Sequence, residues 1–255
     1  MVRIITRQRP ANMATDRLGR ESARNAESGR VRLRGVGWLQ GAAVAQVLAE
    51  VRLAGSPLQS YSHVCAFFRS PDEFYTVLLP FIKEGFDRHE RALHIVDPKL
   101  RQEHVRRLEG VGIDTAAAQA SQQLELRVWE EAYLRGGHFV PDAMLTLLEE
   151  RLSAGQNEGF PLTRLVATVE WALQDRPGVD DLVEYEARVN YLAASHADPL
   201  VCCYDLTQFS AGLVMDVLRT HPVAIIGGTL HENPFFVPPD QFLLELRGRE
   251  PTALN

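Results

Sequence analysis

The sequence predicts an α/β fold in which a mainly parallel sheet carries helices on both faces. Short apolar runs alternate with amphipathic segments of helical length, the pattern of parallel strands joined by crossover helices. Residues 200–204 (LVCCY) and Val223–Ile226 (VAII) are apolar without alternation, as expected for strands buried on both faces. With 255 residues, 45% of them apolar, the chain is long enough to bury one substantial core.

The elements are predicted in chain order. Residues 1–36 carry nine arginines against three carboxylates and few large apolar residues, which indicates a disordered basic tail in which either Met1 or Met13 is the start. A single domain is expected over residues 37–250. Helical spacing predicts a first helix over 36–54, then crossover helices over 72–84, 100–109, 141–154, 179–194 and 209–220. Strands are predicted over 64–68, 92–96, 124–128, 163–170, 200–204 and 223–226.

Composition argues against several classes of protein. The three cysteines form no CxxC pair and lie in apolar runs, so they are expected to be reduced core thiols. No apolar run approaches the roughly 20 residues that span a bilayer, so a cytoplasmic protein without membrane contact is expected. The net charge is −6 although the tail is basic, so the globular body is acidic and is not expected to bind nucleic acid directly.

The junction after the first predicted strand lacks a phosphate-binding loop. A P-loop supplies glycines for an amide cradle and a lysine for the phosphates. Here the junction reads RSPDEF (69–74), with no glycine, no lysine and two carboxylates. This sequence argues against ATP binding and phosphoryl transfer, and favours a sensing or scaffolding role without a cofactor.

Candidate ligand-binding residues follow two of the predicted strands. Glu170 and Trp171 follow one strand, and Tyr204 and Asp205 end another. Because the carboxyl ends of parallel strands share one edge of the sheet, these residues are expected to line one crevice, with Phe235 and Phe236 as apolar walls. Glu170 has a second interpretation, as an anchor for loop N–H groups with Trp171 in the core.

The same carboxylates leave an enzymatic alternative open. Glu170 and Asp205 are candidates for a nucleotide hydrolase or a metal-assisted hydrolase, and His221 is a conceivable third ligand. No nucleophile with an orienting group and no HExxH or CxxC spacing accompanies them, so neither catalysis nor a metal is expected. A ligand-free structural interaction protein is the third alternative.

Taken together, the motifs resemble one family. They are HVC (63–65), GFDRHERALHIVD (85–97), TVEWAL (168–173), LVEYEARVN (182–190), CCYDLTQF (202–209), and THPVAIIGG (220–228) with ENPFF (232–236). In this order, over roughly residues 60–240, they resemble the MEDS domain, the sensory domain of methanogen and methylotroph regulators that is named for the dichloromethane-metabolism repressor.

The resemblance implies a degenerate RecA/KaiC-like fold and an input role in signal transduction or transcription control. Members are thought to recognise small hydrocarbon derivatives, so the implied ligand is a small organic molecule. No DNA-binding or kinase output domain is expected in this sequence, so the signal is expected to pass to a separate regulator or kinase protein, or to be read out by homo-oligomer assembly.

A second group of polar residues is expected to form a structural network rather than a ligand site. Glu186 and Asn190 are spaced i, i+4 and lie on one helix face. Single histidines at strand starts are usually hydrogen-bonded structural residues. The full set comprises His63, Glu73, Glu186, Asn190, His221 and Asn233.

Overall fold

The structure is a computed structural model that describes residues 50–58 and 62–249. The chain divides into two units, residues 1–39 and 40–255, and every described residue belongs to the second. The predicted basic tail, Met13 and most of the predicted first helix lie outside the described residues.

The described residues form a seven-stranded sheet and a two-stranded hairpin. The hairpin pairs β1 (Arg52–Leu53) with β2 (Ser56–Pro57). The sheet has the order β5-β4-β6-β7-β3-β8-β9, and every neighbouring pair is parallel except β8 and β9. Its strands are β3 (His63–Phe68), β4 (Arg91–Val96), β5 (Leu124–Val128), β6 (Thr163–Thr168), β7 (Leu200–Asp205), β8 (Val223–Ile226) and β9 (Thr229–Glu232).

Helices cover both faces of this sheet. They are α1 (Pro71–Asp87), α2 (Arg101–Gly110), α3 (Thr115–Ala120), α4 (Pro141–Asn157), α5 (Leu182–Ala193), α6 (Ala211–Thr220) and α7 (Pro239–Arg247). Short 3₁₀ segments occupy Pro98–Leu100, Trp129–Glu131, Arg135–Gly137, Glu170–Leu173 and Val179–Asp181. In the described part of the chain, no helix combines the length and the apolar character that crossing a membrane requires.

The core has two halves because side chains of each strand alternate between the faces. One half packs side chains of α1 to α3 under one face, including Leu78, Ile82 and Leu108. The other packs side chains of α4 to α7, including Leu148 and Phe242. The predicted fold class, a mainly parallel α/β sheet with helices on both faces, is confirmed.

Several predicted boundaries are wrong. The first helix does not extend to residue 54, because Arg52 and Leu53 belong to the hairpin, and Ala54 and Gly55 make its turn with positive φ of 50° and 76°. Gly85 does not end α1, which continues to Asp87. The strand predicted to reach residue 170 ends at Thr168, and the chain enters the segment Glu170–Leu173. Short elements α3, β9 and α7 were not predicted.

Candidate functional site

A cavity of about 270 Å³ lies at the carboxyl ends of the parallel strands. Residues that follow or end β3, β4, β5, β6 and β7 contribute to its wall. Its apolar lining includes Phe68, Phe74, Val96, Trp129 and Leu173, and its polar lining includes Asp97, Lys99, His104, Glu170, Gln174, Asp205 and Gln208. The predicted convergence of Glu170, Tyr204 and Asp205 on one crevice therefore exists as geometry.

Among the carboxyl groups that line this cavity, Glu170 has the most strongly shifted pKa. Its Oε1 accepts the backbone N–H of Asp205 at 2.9 Å, which ties the end of β6 to the end of β7. Burial raises the pKa of the Glu170 carboxyl to about 7, and the negative charges of Asp205 and Asp97 add to this rise against the effect of the backbone N–H bonds. Glu170 thus anchors a neighbouring loop and also faces the cavity.

The pKa of Asp205 is shifted in the opposite direction. Its Oδ1 accepts the backbone N–H of Thr207 at 2.9 Å and the Thr207 hydroxyl at 2.7 Å, and its Oδ2 accepts from Gln208 at 2.7 Å. Burial acts to raise the pKa of Asp205, but these hydrogen bonds outweigh it and leave the pKa below its ordinary value. The two carboxyl groups therefore differ in protonation near neutral pH.

A hydrogen-bonded series of buried side chains leads away from the cavity, where Tyr75 and His104 belong to the lining. The Tyr75 hydroxyl lies 3.1 Å from His104 Nδ1, and His104 Nε2 lies 2.9 Å from His94 Nδ1. Burial lowers the pKa of His104 to about 4 and that of His94 well below its ordinary value, so both imidazoles are neutral near pH 7. Trp129 Nε1 donates to Thr168 Oγ1 at 3.1 Å, which fixes the indole ring in place.

The helix N-terminus beside the cavity is capped by the side chains of Ser70 and Glu73. Ser70 is the N-cap of α1, and its hydroxyl accepts the N–H of Glu73 at 3.2 Å. The Glu73 carboxylate accepts the N–H of Arg69 at 2.8 Å, and Asp72 adds a second negative charge to the first turn. Glu73 therefore has a local capping role and does not join the predicted polar network.

Three of the predicted ligand-binding residues lie elsewhere. Trp171 is fully buried and stacks on Tyr133, with ring centroids 4.7 Å apart, so it belongs to the core. Phe235 and Phe236 follow β9, whose antiparallel direction returns the chain to the amino-terminal edge of the parallel strands. Phe235 and Phe236 therefore do not line the cavity, which lies at the opposite edge. His221 directly precedes β8, so it also lies at the amino-terminal edge and does not meet Glu170 and Asp205.

Tyr204 borders the cavity but directs its hydroxyl away from it. The hydroxyl donates to Glu186 Oε1 at 2.8 Å, and the residue is 1% exposed. The expectation that this hydroxyl orients a ligand is therefore wrong. Glu186 belongs to a buried polar cluster on the face of the sheet that α4 to α7 cover.

This cluster brings together most of the predicted polar network. His63 on β3 lies 3.3 Å from Glu186 Oε2 through Nε2 and 3.3 Å from Asn190 Oδ1 through Nδ1. His221 Nε2 lies 3.5 Å from the same Glu186 oxygen. Asn233 joins at the periphery, where its amide donates to the carbonyl of His221 at 2.7 Å. The sequence analysis missed one member, Cys202, whose Sγ lies 3.5 Å from Glu186 Oε2.

The cluster is closed to solvent. His63, Glu186, Cys202 and His221 are each at most 1% exposed. Burial lowers the pKa of His63 to about 4 and raises the pKa of the Cys202 thiol well above its ordinary value. Glu186 reaches this position because helical spacing places it on the core-facing side of α5, with Leu182 and Val189.

Two further cavity residues could have been predicted from their positions directly after strands. Asp97 directly follows β4 and Trp129 directly follows β5, so the argument from strand ends that selected Glu170 and Asp205 also selects them. Tyr75 and His104 lie on helices that pack against the sheet, and no local pattern distinguishes them from ordinary core residues.

The comparisons with known proteins agree with the resemblance found in the sequence. Residues 62–222 match the family described as "MEthanogen/methylotroph, DcmR Sensory domain". The transcriptional repressor DcmR of Methylorubrum extorquens is 25% identical over 188 residues, which make up 68% of this chain, and the match covers 63% of that protein's length. A KaiC-like protein of Pyrococcus horikoshii OT3 superimposes with a TM-score of 0.46 and 12% identity over 68% of this chain and 73% of the other. The family match extends over more than half of the chain, which therefore belongs to the MEDS family of sensory domains.

Proposed function

We propose that this domain is a non-catalytic sensory module that binds a small organic molecule in the cavity at the carboxyl ends of the strands. One observation carries the proposal. Glu170 places a carboxyl group with a pKa of about 7 in a largely apolar cavity, at the edge where open α/β sheets bind their ligands. Membership in a family of sensory domains supports the same function.

The cavity chemistry favours a small neutral or cationic ligand. A volume of about 270 Å³ has room for a molecule of about ten heavy atoms. Asp97, Glu170 and Asp205 contribute carboxyl groups against the single lysine Lys99 in the lining, so an anionic ligand meets net repulsion. An alcohol, an amine or a halide of a short hydrocarbon offers the apolar body and the single polar group that this lining matches.

Catalysis by the same residues receives little support. Both oxygens of Asp205 and one oxygen of Glu170 are engaged by neighbouring donors. Burial raises the pKa of the Cys203 thiol, the sulfur nearest the cavity, well above its ordinary value, so it is not a thiolate nucleophile near neutral pH. A hydrolase based on Glu170 and Asp205 is therefore the weaker alternative.

Signalling would proceed by a shift in population between two loop arrangements. Three of the chain segments that bound the cavity follow different strands: the cap at Ser70, the segment Glu170–Leu173 and the turn after Asp205. A ligand that binds one arrangement more tightly stabilises it by that difference in affinity. Leu100 and Leu173 at the rim are 43% and 44% exposed, which suits contact with a separate regulator or kinase protein in the cytoplasm.

The proposal is tested by calorimetric titration with a panel of alcohols, amines and halides of short hydrocarbons. Glu170→Gln is expected to weaken the binding of the responding compounds by about tenfold, near 1.4 kcal/mol, because the titratable carboxyl is lost while the side-chain volume is kept. The matched control is Glu130→Gln, which removes an exposed carboxylate beside Trp129 that does not line the cavity. Equal affinities of wild type and Glu170→Gln would contradict the site.

A further inference from the structure

Four side chains with metal-binding atoms meet in the buried cluster on the other face of the sheet. His63, Glu186, Cys202 and His221 each offer one nitrogen, oxygen or sulfur atom, and these atoms all lie within 4.8 Å of one another. They come from four separate parts of the chain: β3, α5, β7 and the residue that follows α6. Such convergence of dispersed residues is invisible to motif searches, and the sequence analysis accordingly expected no metal.

The hydrogen bonds of Asn190 fix the tautomer of His63. The Asn190 amide nitrogen donates to the carbonyls of Thr220 at 2.8 Å and Ala187 at 3.1 Å. Its Oδ1 is therefore the atom that faces His63 Nδ1, and an oxygen there requires the proton on Nδ1. The Nε2 atom of a neutral His63 then carries a lone pair, which points at Glu186 Oε2 from 3.3 Å.

His221 has the same arrangement. Its Nδ1 lies 2.8 Å from the carbonyl oxygen of Val217, which accepts but cannot donate, so the proton resides on Nδ1. Its Nε2 is fully buried, has no hydrogen-bond partner among the described residues, and lies 3.5 Å from Glu186 Oε2. Two imidazole lone pairs and a carboxylate oxygen thus face one another, an arrangement of acceptors that a shared cation stabilises.

Four of the six separations agree with the edges of a metal tetrahedron. Zinc bonds of about 2.0–2.3 Å to nitrogen, oxygen and sulfur place neighbouring ligand atoms about 3.3–3.7 Å apart. The atoms here are separated by 3.3 Å for His63 and Glu186, 3.5 Å for His221 and Glu186, 3.5 Å for Cys202 and Glu186, and 3.7 Å for Cys202 and His63. The remaining two separations, from His221 to His63 and from His221 to Cys202, fall within the 4.8 Å that encloses the ligand atoms of all four residues.

We propose that His63, Glu186, Cys202 and His221 bind one Zn²⁺ ion in a closed tetrahedral site. The Cys202 thiol loses its proton to solvent when the Zn–S bond forms, so the thiolate and the Glu186 carboxylate together balance the charge of the ion. Asn190 and Val217 orient the two imidazoles, and the Tyr204 hydroxyl holds the other carboxylate oxygen. With four protein ligands and no open position, the ion is structural: it ties β3, β7 and α5 to the start of β8.

The first test is the metal content of the full chain, purified without chelators and measured by elemental mass spectrometry. The proposal predicts about one zinc per chain for wild type, and a loss of at least about tenfold in zinc affinity for Cys202→Ser. Cys203→Ser is the matched control, because this buried cysteine is the next residue of β7 and faces the opposite half of the core. Equal zinc retention by the two variants, or a wild type that takes up no zinc on reconstitution, would overturn the proposal.

A second measurement uses only the wild type and so does not depend on how the variants fold. Chelator-treated protein is titrated with Co²⁺, whose absorption spectrum reports tetrahedral geometry and a cobalt–thiolate bond directly. The expected result is a thiolate charge-transfer band that saturates at one ion per chain and disappears when Zn²⁺ is added. A spectrum of six-coordinate Co²⁺ without a thiolate band would overturn the assignment of Cys202 as a ligand.

Discussion

Glu170 connects the chemistry of the cavity with the stability of the domain. It is mostly buried, yet one of its oxygens is committed to the Asp205 backbone. The interpretation of Glu170 as an anchor agrees with the contact of Oε1. The interpretation as a ligand-facing group concerns the other oxygen and rests on the proposed function.

The raised pKa of Glu170 predicts a specific dependence of stability on pH. The folded state retains its proton up to pH of about 7, whereas the unfolded state releases it near the ordinary value of 4.5. The folded state thus binds more protons between these values, and this group reduces the free energy of unfolding as the pH rises. Between pH 4.5 and pH 7, the free energy of unfolding of Glu170→Gln should therefore rise by about 3 kcal/mol relative to that of wild type.

Urea unfolding of wild type and Glu170→Gln at several pH values measures this difference. Contributions from groups that are unchanged by the substitution cancel in the comparison. A difference in the free energy of unfolding that stays constant over this range would contradict the burial of an ionisable Glu170.

Tyr204 was expected to act on a ligand, but its hydroxyl serves the buried cluster. Tyr204→Phe leaves Glu186 Oε1 without its donor in a fully buried position, so the free energy of unfolding should fall by about 1–3 kcal/mol. Tyr191→Phe is the control, since the Tyr191 hydroxyl contacts Asp240 at the surface, and its effect should stay within about 0.5 kcal/mol. Similar losses for both variants in urea unfolding would contradict a special role for the Tyr204 hydroxyl.

The first turn of α1 explains at the scale of an element why a nucleotide is not expected. Ser70 accepts the N–H of Glu73 and Glu73 accepts the N–H of Arg69, and Asp72 and Glu73 place negative charge in the first turn, the position at which helices bind phosphate. Calorimetry with Mg-ATP should detect no micromolar binding. Micromolar affinity that is lost when residues 69–73 are changed would contradict this account.

The packing of α1 against β6 gives a second prediction for this helix. A Cβ atom at Gly85 would lie 2.8 Å from Cδ of Arg164, whose buried guanidinium binds Glu90 and Glu84. Gly85→Ala should therefore cost about 1–3 kcal/mol, because the arginine and its ion pairs must shift.

The control for Gly85→Ala is the same substitution in another helix. Gly110→Ala, at the end of α2, meets no atom within 4 Å and should be neutral or stabilising by up to about 1 kcal/mol. The free energies of unfolding of both variants are obtained from urea titrations. Equal effects of the two substitutions would show that contact with Arg164 does not constrain Gly85.

Elements with a strong local pattern could be predicted from the sequence, and weakly patterned ones could not. The strands Leu124–Val128 and Val223–Ile226 were located to the residue because both are short, the first alternating apolar and charged residues (LELRV) and the second continuously apolar (VAII). The prediction of a helix over 36–54 was wrong at Arg52 and Leu53, because the following Ala-Gly turn adopts positive φ, which a continuing helix does not allow. Strand β9, with the polar sequence TLHE, carries no periodic signal.

At the scale of the whole molecule, topology decided which predicted site residues meet. The parallel order of β6 and β7 brought Glu170 and Asp205 together, as the rule for strand ends requires. The one antiparallel strand, β9, carried Phe235 and Phe236 to the opposite edge. The direction of that last strand could not be predicted from its sequence.

Strand β7 links the two sites because its side chains alternate between the faces of the sheet. Cys202 and Tyr204 point toward the buried cluster, whereas Cys203 lies beside the cavity. The cluster was predictable only in part, because its members are separated by up to 158 residues from His63 to His221 and their contact depends on the complete sheet. The proposed metal ion and the proposed ligand therefore act on the two sides of one strand.

The central claim, that the cavity at the strand ends is a binding site for a small organic molecule, is tested most directly by native mass spectrometry of the full chain. After exposure to the panel of short alcohols, amines and halides, wild type should carry an added mass equal to one compound per chain, and Glu130→Gln should carry the same mass. Glu170→Gln should retain about tenfold less. Equal retention by Glu170→Gln and wild type, or no added mass on wild type with any compound, would contradict the account.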